Sequence, residues 1–146
     1  MKIEMIDISE KDRVKRIAIA SGKIKLNRET IKGIKENKIK KGDPLAVSEI
    51  SSINAIKQTA NLIPLCHQIP VDNIDIKYKL DENFIEVVVG VKATSKTGVE
   101  MEALFGVSIA LLVIWDMVKA YEKDEEGQYP FTRITDIKIL KKIKRE

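Results

Sequence analysis

The sequence alternates apolar and polar positions in three stretches and repeats them at helical spacing in two, so the order of elements can be read before any chemistry. The first residues, with Ile3, Met5, Ile6 and Ile8 ahead of a charged stretch, read as loop and extended chain. RIAIASGKIKL, residues 16–26, alternates and predicts strand or hairpin structure turned at Ser21-Gly22. Asn27 is placed to cap a short helix through Ile31 and Ile34, and the IKKGDP segment after it acts as a breaker. From Leu45 to about Ile63, Ile50, Ile53, Ile56 and Ala60 recur at helical spacing until Pro64 ends the run. LIPLCHQIP then sets two prolines around Cys66 and His67 and predicts a rigid loop. Ile74 to Leu80 and Phe84 to Ala93 flank Asp81-Glu82-Asn83 as an antiparallel hairpin. After TSKTG, a helix runs from about Val99 to Glu122, with a centre that is apolar on every side. A helix with no wet face needs protein on more than one side, and in a small chain part of that cover is expected from another subunit. FTRITDIKILKKIKRE begins like a strand and finishes as a basic tail, expected to be mobile.

The chain has 146 residues, which fits a single domain over residues 1–146, since domains usually take roughly 100–200 residues. The longest uncharged apolar run, Ala103 to Trp115, has thirteen residues, against roughly 20 for a bilayer crossing. No membrane span is expected. The opening MKIEMIDISEKDR carries charges where a signal peptide needs an apolar core, so a cytoplasmic setting is expected. One cysteine and one histidine exclude an internal disulfide and disfavour a Cys/His zinc site.

Charge is segregated. Residues 1–48 hold 13 basic and 7 acidic side chains, residues 49–132 the reverse, and residues 133–146 hold 6 and 2. Such a balance attracts polyanions or complements itself between subunits. With 5% aromatic residues the chain is poor in stacking platforms for nucleic acid.

Three segments could carry chemistry. In TSKTGVEMEAL, Glu100 and Glu102 serve either as favourable charges at a helix start or as acceptors for an amino-bearing ring such as guanine; Gly98 allows close approach, and Met101 offers an apolar contact. Asp116 and Lys119, three apart, read either as an intrahelical ion pair or, partly buried behind the apolar run, as a proton-transfer pair. His67 is suited to a phosphate contact or proton transfer, and Cys66 to packing. Lys41, Lys57 and Arg16, taken singly, read as isolated surface cations, and IKKGDP lacks the glycine framework of a phosphate-binding loop.

Together and in this order, MIDIS, KGDPL, AIKQTANLIPLCH, TGVEMEAL and WDMVKA resemble the molybdenum cofactor biosynthesis protein C family, the cyclic pyranopterin monophosphate synthases, from about Met5 to Lys123. The resemblance implies an α+β subunit, a ferredoxin-like antiparallel sheet packed against helices, in a hexamer built as a trimer of dimers with sites at subunit boundaries. It implies conversion of 3′,8-cyclo-7,8-dihydroguanosine 5′-triphosphate to cyclic pyranopterin monophosphate with release of pyrophosphate. Asp116 and Lys119 then match the catalytic pair. Arg16, Lys41, Lys57, Leu65, Cys66, His67, Glu100, Met101 and Glu102 match substrate-binding positions, with Arg16 toward the phosphates. No cofactor or resident metal is expected, though magnesium can accompany the triphosphate. The family's glycine-rich GGKSG-like end is replaced by ITDIKILKKIKRE, and neither Lys141 nor Lys142 is assigned to the site; Val14 stands where a threonine is common. The rival reading is a basic oligomeric nucleotide- or nucleic-acid-binding module.

Overall fold

The computed structural model describes all 146 residues. The chain runs β1 (Val14–Lys25), α1 (Arg28–Lys35), α2 (Pro44–Lys57), α3 (Thr59–Leu62), β2 (Val71–Leu80), β3 (Phe84–Ser95), α4 (Glu100–Glu122) and β4 (Arg133–Arg145). Its four strands form one antiparallel sheet in the order β2-β3-β1-β4. This is the βαββαβ arrangement of ferredoxin-like α+β folds, in which β3 separates β1 from β2. Alternate residues of the central strands, among them Ala18, Ala20, Ile24, Val87, Val89 and Val91, point to one face and are fully or almost fully buried. α4 lies on that face, burying Val107, Leu111 and Ile114, and α2 packs beside it.

Four sequence expectations need correction. Ser21-Gly22 makes no turn: β1 is one continuous strand, with Ser21 opposite Val88 and Gly22 opposite Val87. Gly22 is there for closeness, since a Cβ at this position would stand 2.7 Å from Val107 Cγ1 and 2.9 Å from Leu111 Cδ1. The long helical run also divides. Asp43 accepts hydrogen bonds from the N–H groups of Leu45 (2.9 Å) and Ala46 (3.3 Å), and Pro44 opens α2. The helix stops at Gln58, where Thr59 Oγ1 donates back to the carbonyls of Ala55 and Ile56 before the short α3.

The basic tail is the third. Residues 133–145 form an edge strand paired with β1, with irregular register near Leu140 and near Asp136, where φ is +58°. Its lysines are those of a solvated sheet edge, which charge protects from pairing with other chains.

Asn27 precedes α1 but makes no side-chain cap. Its N–H donates instead to the Glu122 carboxylate (3.0 Å to Oε2), which also accepts from the hydroxyls of Thr30 and, at 2.6 Å, Thr132. One buried carboxylate thus ties the end of α4 to the start of α1 and the approach to β4.

α4 is by length and composition apolar enough to cross a membrane, although its uncharged run is only thirteen residues. Half of its most apolar window is buried inside the fold, as in a core helix. Its outward side is the unexpected part: Met101, Phe105, Ser108 and Leu112 lie at least partly open to solvent, followed on the same side by Asp116 and Lys119.

Candidate active site

The loop between α3 and β2 carries Leu65, Cys66 and His67. The Cys66 N–H donates to the Ile63 carbonyl (3.0 Å) and closes a turn in this loop, which lies beside the entrance of α4. Leu65, Cys66, His67, Glu100 and Met101 line one cleft of about 390 Å3. Extended residues near the N-terminus form its other wall, where His67 Nε2 lies 2.8 Å from the Ile6 carbonyl. A Cβ at Gly98 would meet the Glu100 carboxylate, the free end of a flexible side chain, so a larger residue here would displace that carboxylate within the cleft.

Glu102 faces the other way, into an adjoining cleft of about 400 Å3 that also contains Lys57 and Gln68. It is 3% exposed, and its Oε1 is buried without a hydrogen-bond partner. Burial pushes its carboxyl above the ordinary range, and the negative charge of Glu100 adds to that. Burial likewise raises the Cys66 thiol, with the Glu102 charge as a second cause, so a reactive thiolate is not favoured there. Glu100 meets Lys142 of β4 at 3.4 Å, a partner the sequence left unassigned.

Arg16, read singly from sequence as a surface cation, is 8% exposed. Its Nη2 donates to the Lys96 carbonyl at 3.4 Å, and its Nε has no partner.

A second cluster lies at the opposite end of α4. Asp116 sits between two ammonium groups, Lys119 Nζ at 3.1 Å and Lys41 Nζ at 3.3 Å. Hydrogen bonds from Lys119 and then Lys41, reinforced by their charges, hold the Asp116 carboxyl below the usual carboxylate range. The expected partial burial of this pair is not found within one chain: the Asp116 side chain is 61% exposed and that of Lys119 43%. Asp116 lies fourteen helical steps beyond Glu102, about 21 Å along the axis. A single chain therefore assembles the candidate residues as two groups, Lys57, Leu65, Cys66, His67, Glu100, Met101 and Glu102 at one end of α4 and Lys41, Asp116 and Lys119 at the other, with Arg16 near the first.

Thr97 of the TSKTG segment and Lys11 also line the His67 cleft, and nothing in the sequence pointed to Lys11. Among His, Cys, Asp and Glu no group of three or more is placed to hold a metal ion.

The model of the MoaC family matches residues 5–144. A protein of Pyrococcus abyssi is 56% identical over 142 residues, covering 97% of this chain and 89% of its own length. One from Pyrococcus furiosus is 55% identical over 144 residues (99% and 92%), and one from Saccharolobus solfataricus 54% over 143 residues (98% and 96%). Each of the three bears the name probable cyclic pyranopterin monophosphate synthase. With that match spanning the α4 entrance, the Asp116 cluster and nearly the whole of β4, the chain belongs to the MoaC family.

Proposed function

We propose that this chain is a cyclic pyranopterin monophosphate synthase of molybdenum cofactor biosynthesis, converting 3′,8-cyclo-7,8-dihydroguanosine 5′-triphosphate to cyclic pyranopterin monophosphate and pyrophosphate. The observation that carries the proposal is the match, at more than half identity over almost the whole chain, to relatives that bear this name. A cytoplasmic setting goes with a nucleotide substrate of this kind.

The residues divide the work by chemistry. Glu100 and Glu102 are hydrogen-bond acceptors suited to the N–H groups of the guanine-derived ring, with Leu65, Cys66 and Met101 as its apolar contacts. Arg16, Lys41, Lys57 and His67 supply cationic or donor groups for the triphosphate. Asp116 and Lys119 are the acid–base pair that moves protons while the ring opens and the pterin closes. A sugar hydroxyl then attacks the α-phosphorus, its proton passing to base as the new P–O bond forms and the bond to pyrophosphate breaks. No resident cofactor is called for by these residues, and magnesium can accompany the triphosphate as a counter-ion.

These roles call for a second copy of the chain. The outward stripe Met101, Phe105, Ser108, Leu112 and Asp116 has its midpoint near Ser108. An antiparallel partner laid on it brings the Asp116–Lys119 end of one copy beside the His67–Glu100 end of the other. A two-fold interface makes both sites at once. Three such dimers would give the hexamer expected from the resemblance.

The test is incubation of the purified protein with the cyclised nucleotide while pyrophosphate and cyclic product are measured. Stoichiometric formation of both is expected. Their absence, with Lys119→Ala behaving like the parent, would reject the reading.

A further inference from the structure

The turn between α1 and α2 presents Lys41 without burying it. The Gly42 N–H donates to the Ile39 carbonyl (3.1 Å), which closes a β-turn with Lys40 and Lys41 at its two corners. Ile39, 7% exposed, roots one end of this turn in the core, and Gly42, at φ +119°, leads the chain toward α2 in a conformation that suits glycine. The corners project from that base, and the Lys41 side chain is half exposed.

Two contacts join the corners to α4. Lys41 Nζ donates to the carbonyl and the carboxylate of Asp116, and one residue earlier the Lys40 N–H donates to Tyr121 Oη at 2.8 Å. The first cannot hold the turn by itself. A long ammonium side chain loses rotamer freedom when it is fixed, and an ion pair between exposed groups returns little. The second contact is of a different kind. An N–H at the first corner of a β-turn has no partner within the turn, and here the Tyr121 hydroxyl is the acceptor that takes it. Tyrosine reaches it from a helix with only two side-chain torsions to fix. The Tyr121 ring is 44% exposed, so it is no part of the core, and the hydroxyl makes its directed contact. Asp116, Lys119 and Tyr121 all lie in the last two turns of α4. The helix that carries the proposed acid–base pair therefore also carries the hook for the turn that supplies a second cation to Asp116.

We propose that Tyr121 is a positioning residue, whose hydroxyl fixes the Lys40 corner and thereby sets the Lys41 ammonium against Asp116. It acts through Lys41 and not on the nucleotide. The consequence for turnover rests on the synthase reading above, whereas the effect on the Asp116 carboxyl rests on these contacts alone.

The experiment is Tyr121→Phe in the full chain, which removes the hydroxyl and keeps the ring. The Asp116 carboxyl, followed by carboxyl NMR titration, should move up toward its ordinary 3.8 as Lys41 loosens, with the thermal melt unchanged. KM for the cyclised nucleotide should rise roughly fivefold, the scale of one lost hydrogen bond, with kcat changed by less than about twofold. In the Lys41→Ala background, Tyr121→Phe should add nothing to either quantity, because the group it positions is gone. In the Lys119→Ala background its effect on the Asp116 titration should persist. A parental Asp116 titration in Tyr121→Phe, or a further shift when Tyr121→Phe is added to Lys41→Ala, overturns the proposal. If the Asp116 shift appears and vanishes in the Lys41→Ala background but the parent forms no cyclic product, the synthase reading fails and the positioning role stands. If the parent forms product and Tyr121→Phe keeps both its KM and its Asp116 titration, the positioning role fails and the synthase reading stands.

Discussion

Lys41, in the turn before α2, reaches Asp116 of α4 across 75 positions of sequence, its Nζ 3.0 Å from the Asp116 carbonyl oxygen and 3.3 Å from the carboxylate. With Lys119 on the other carboxylate oxygen, the contact keeps Asp116 ionised further into acid than a free aspartate. It also connects the end of the α1–α2 turn to the outward face of α4, where the proposed chemistry lies.

Asp116→Asn should therefore separate catalysis from folding. The side chain is mostly exposed, so stability should stay close to that of the parent, while turnover should fall by roughly 10²–10⁴-fold, the usual effect of losing an acid–base group. Urea denaturation and product assays read the two quantities. In the double variant Lys41→Ala, Lys119→Ala, the Asp116 carboxyl should return toward its ordinary 3.8, observed by carboxyl NMR titration.

Glu102 should show the opposite relation between function and stability. A carboxyl whose folded pKa is raised holds a proton that the unfolded chain has already lost, so stability falls as pH rises from the ordinary 4.5 through the raised value. Glu102→Gln should melt higher than the parent at neutral pH, with the difference vanishing below about pH 4.5, and should lose turnover. A lower melting temperature at neutral pH would refute the assignment of a desolvation cost to this side chain.

Glu122 is buried and fully engaged. Glu122→Ala leaves the Asn27 N–H and two threonine hydroxyls without their acceptor, which should cost about 3 kcal/mol or more in urea unfolding. Glu122→Gln should cost less, because its remaining carbonyl oxygen still accepts.

Leu112 is 54% exposed at the middle of the outward stripe of α4. Leu112→Glu should lower the mass measured by light scattering and abolish turnover while leaving the helical circular dichroism of each subunit intact. An independent check mixes Asp116→Asn with His67→Ala subunits. If sites are shared between copies, each mixed pair contains one complete site and part of the activity returns. No recovery after subunit exchange would place both groups in one chain.

The elements that β1, β2, β3 and α4 became were legible because their apolar spacing depends only on local geometry. The turn assigned to Ser21-Gly22 failed for the opposite reason: what keeps Gly22 in a strand is α4 lying directly on it, and nothing local marks that contact. β4 was missed over most of its length because a lysine-rich edge strand and a solvated tail have the same composition. The resemblance named the site residues, but the spacing could not show that Arg16 is buried, that Lys142 meets Glu100, or that the outward side of α4 is wet.

By itself the sequence determined which side chains are available and the periods at which they recur, because both are properties of neighbouring residues. Only the tertiary structure decided how they group. Distances across the sheet and along α4 are set by strand order and packing, so residues close in sequence, such as Glu100 and Glu102, face different clefts. Others far apart are brought together, Arg16 and Lys144 in one cleft and Lys41 and Asp116 in an ion pair.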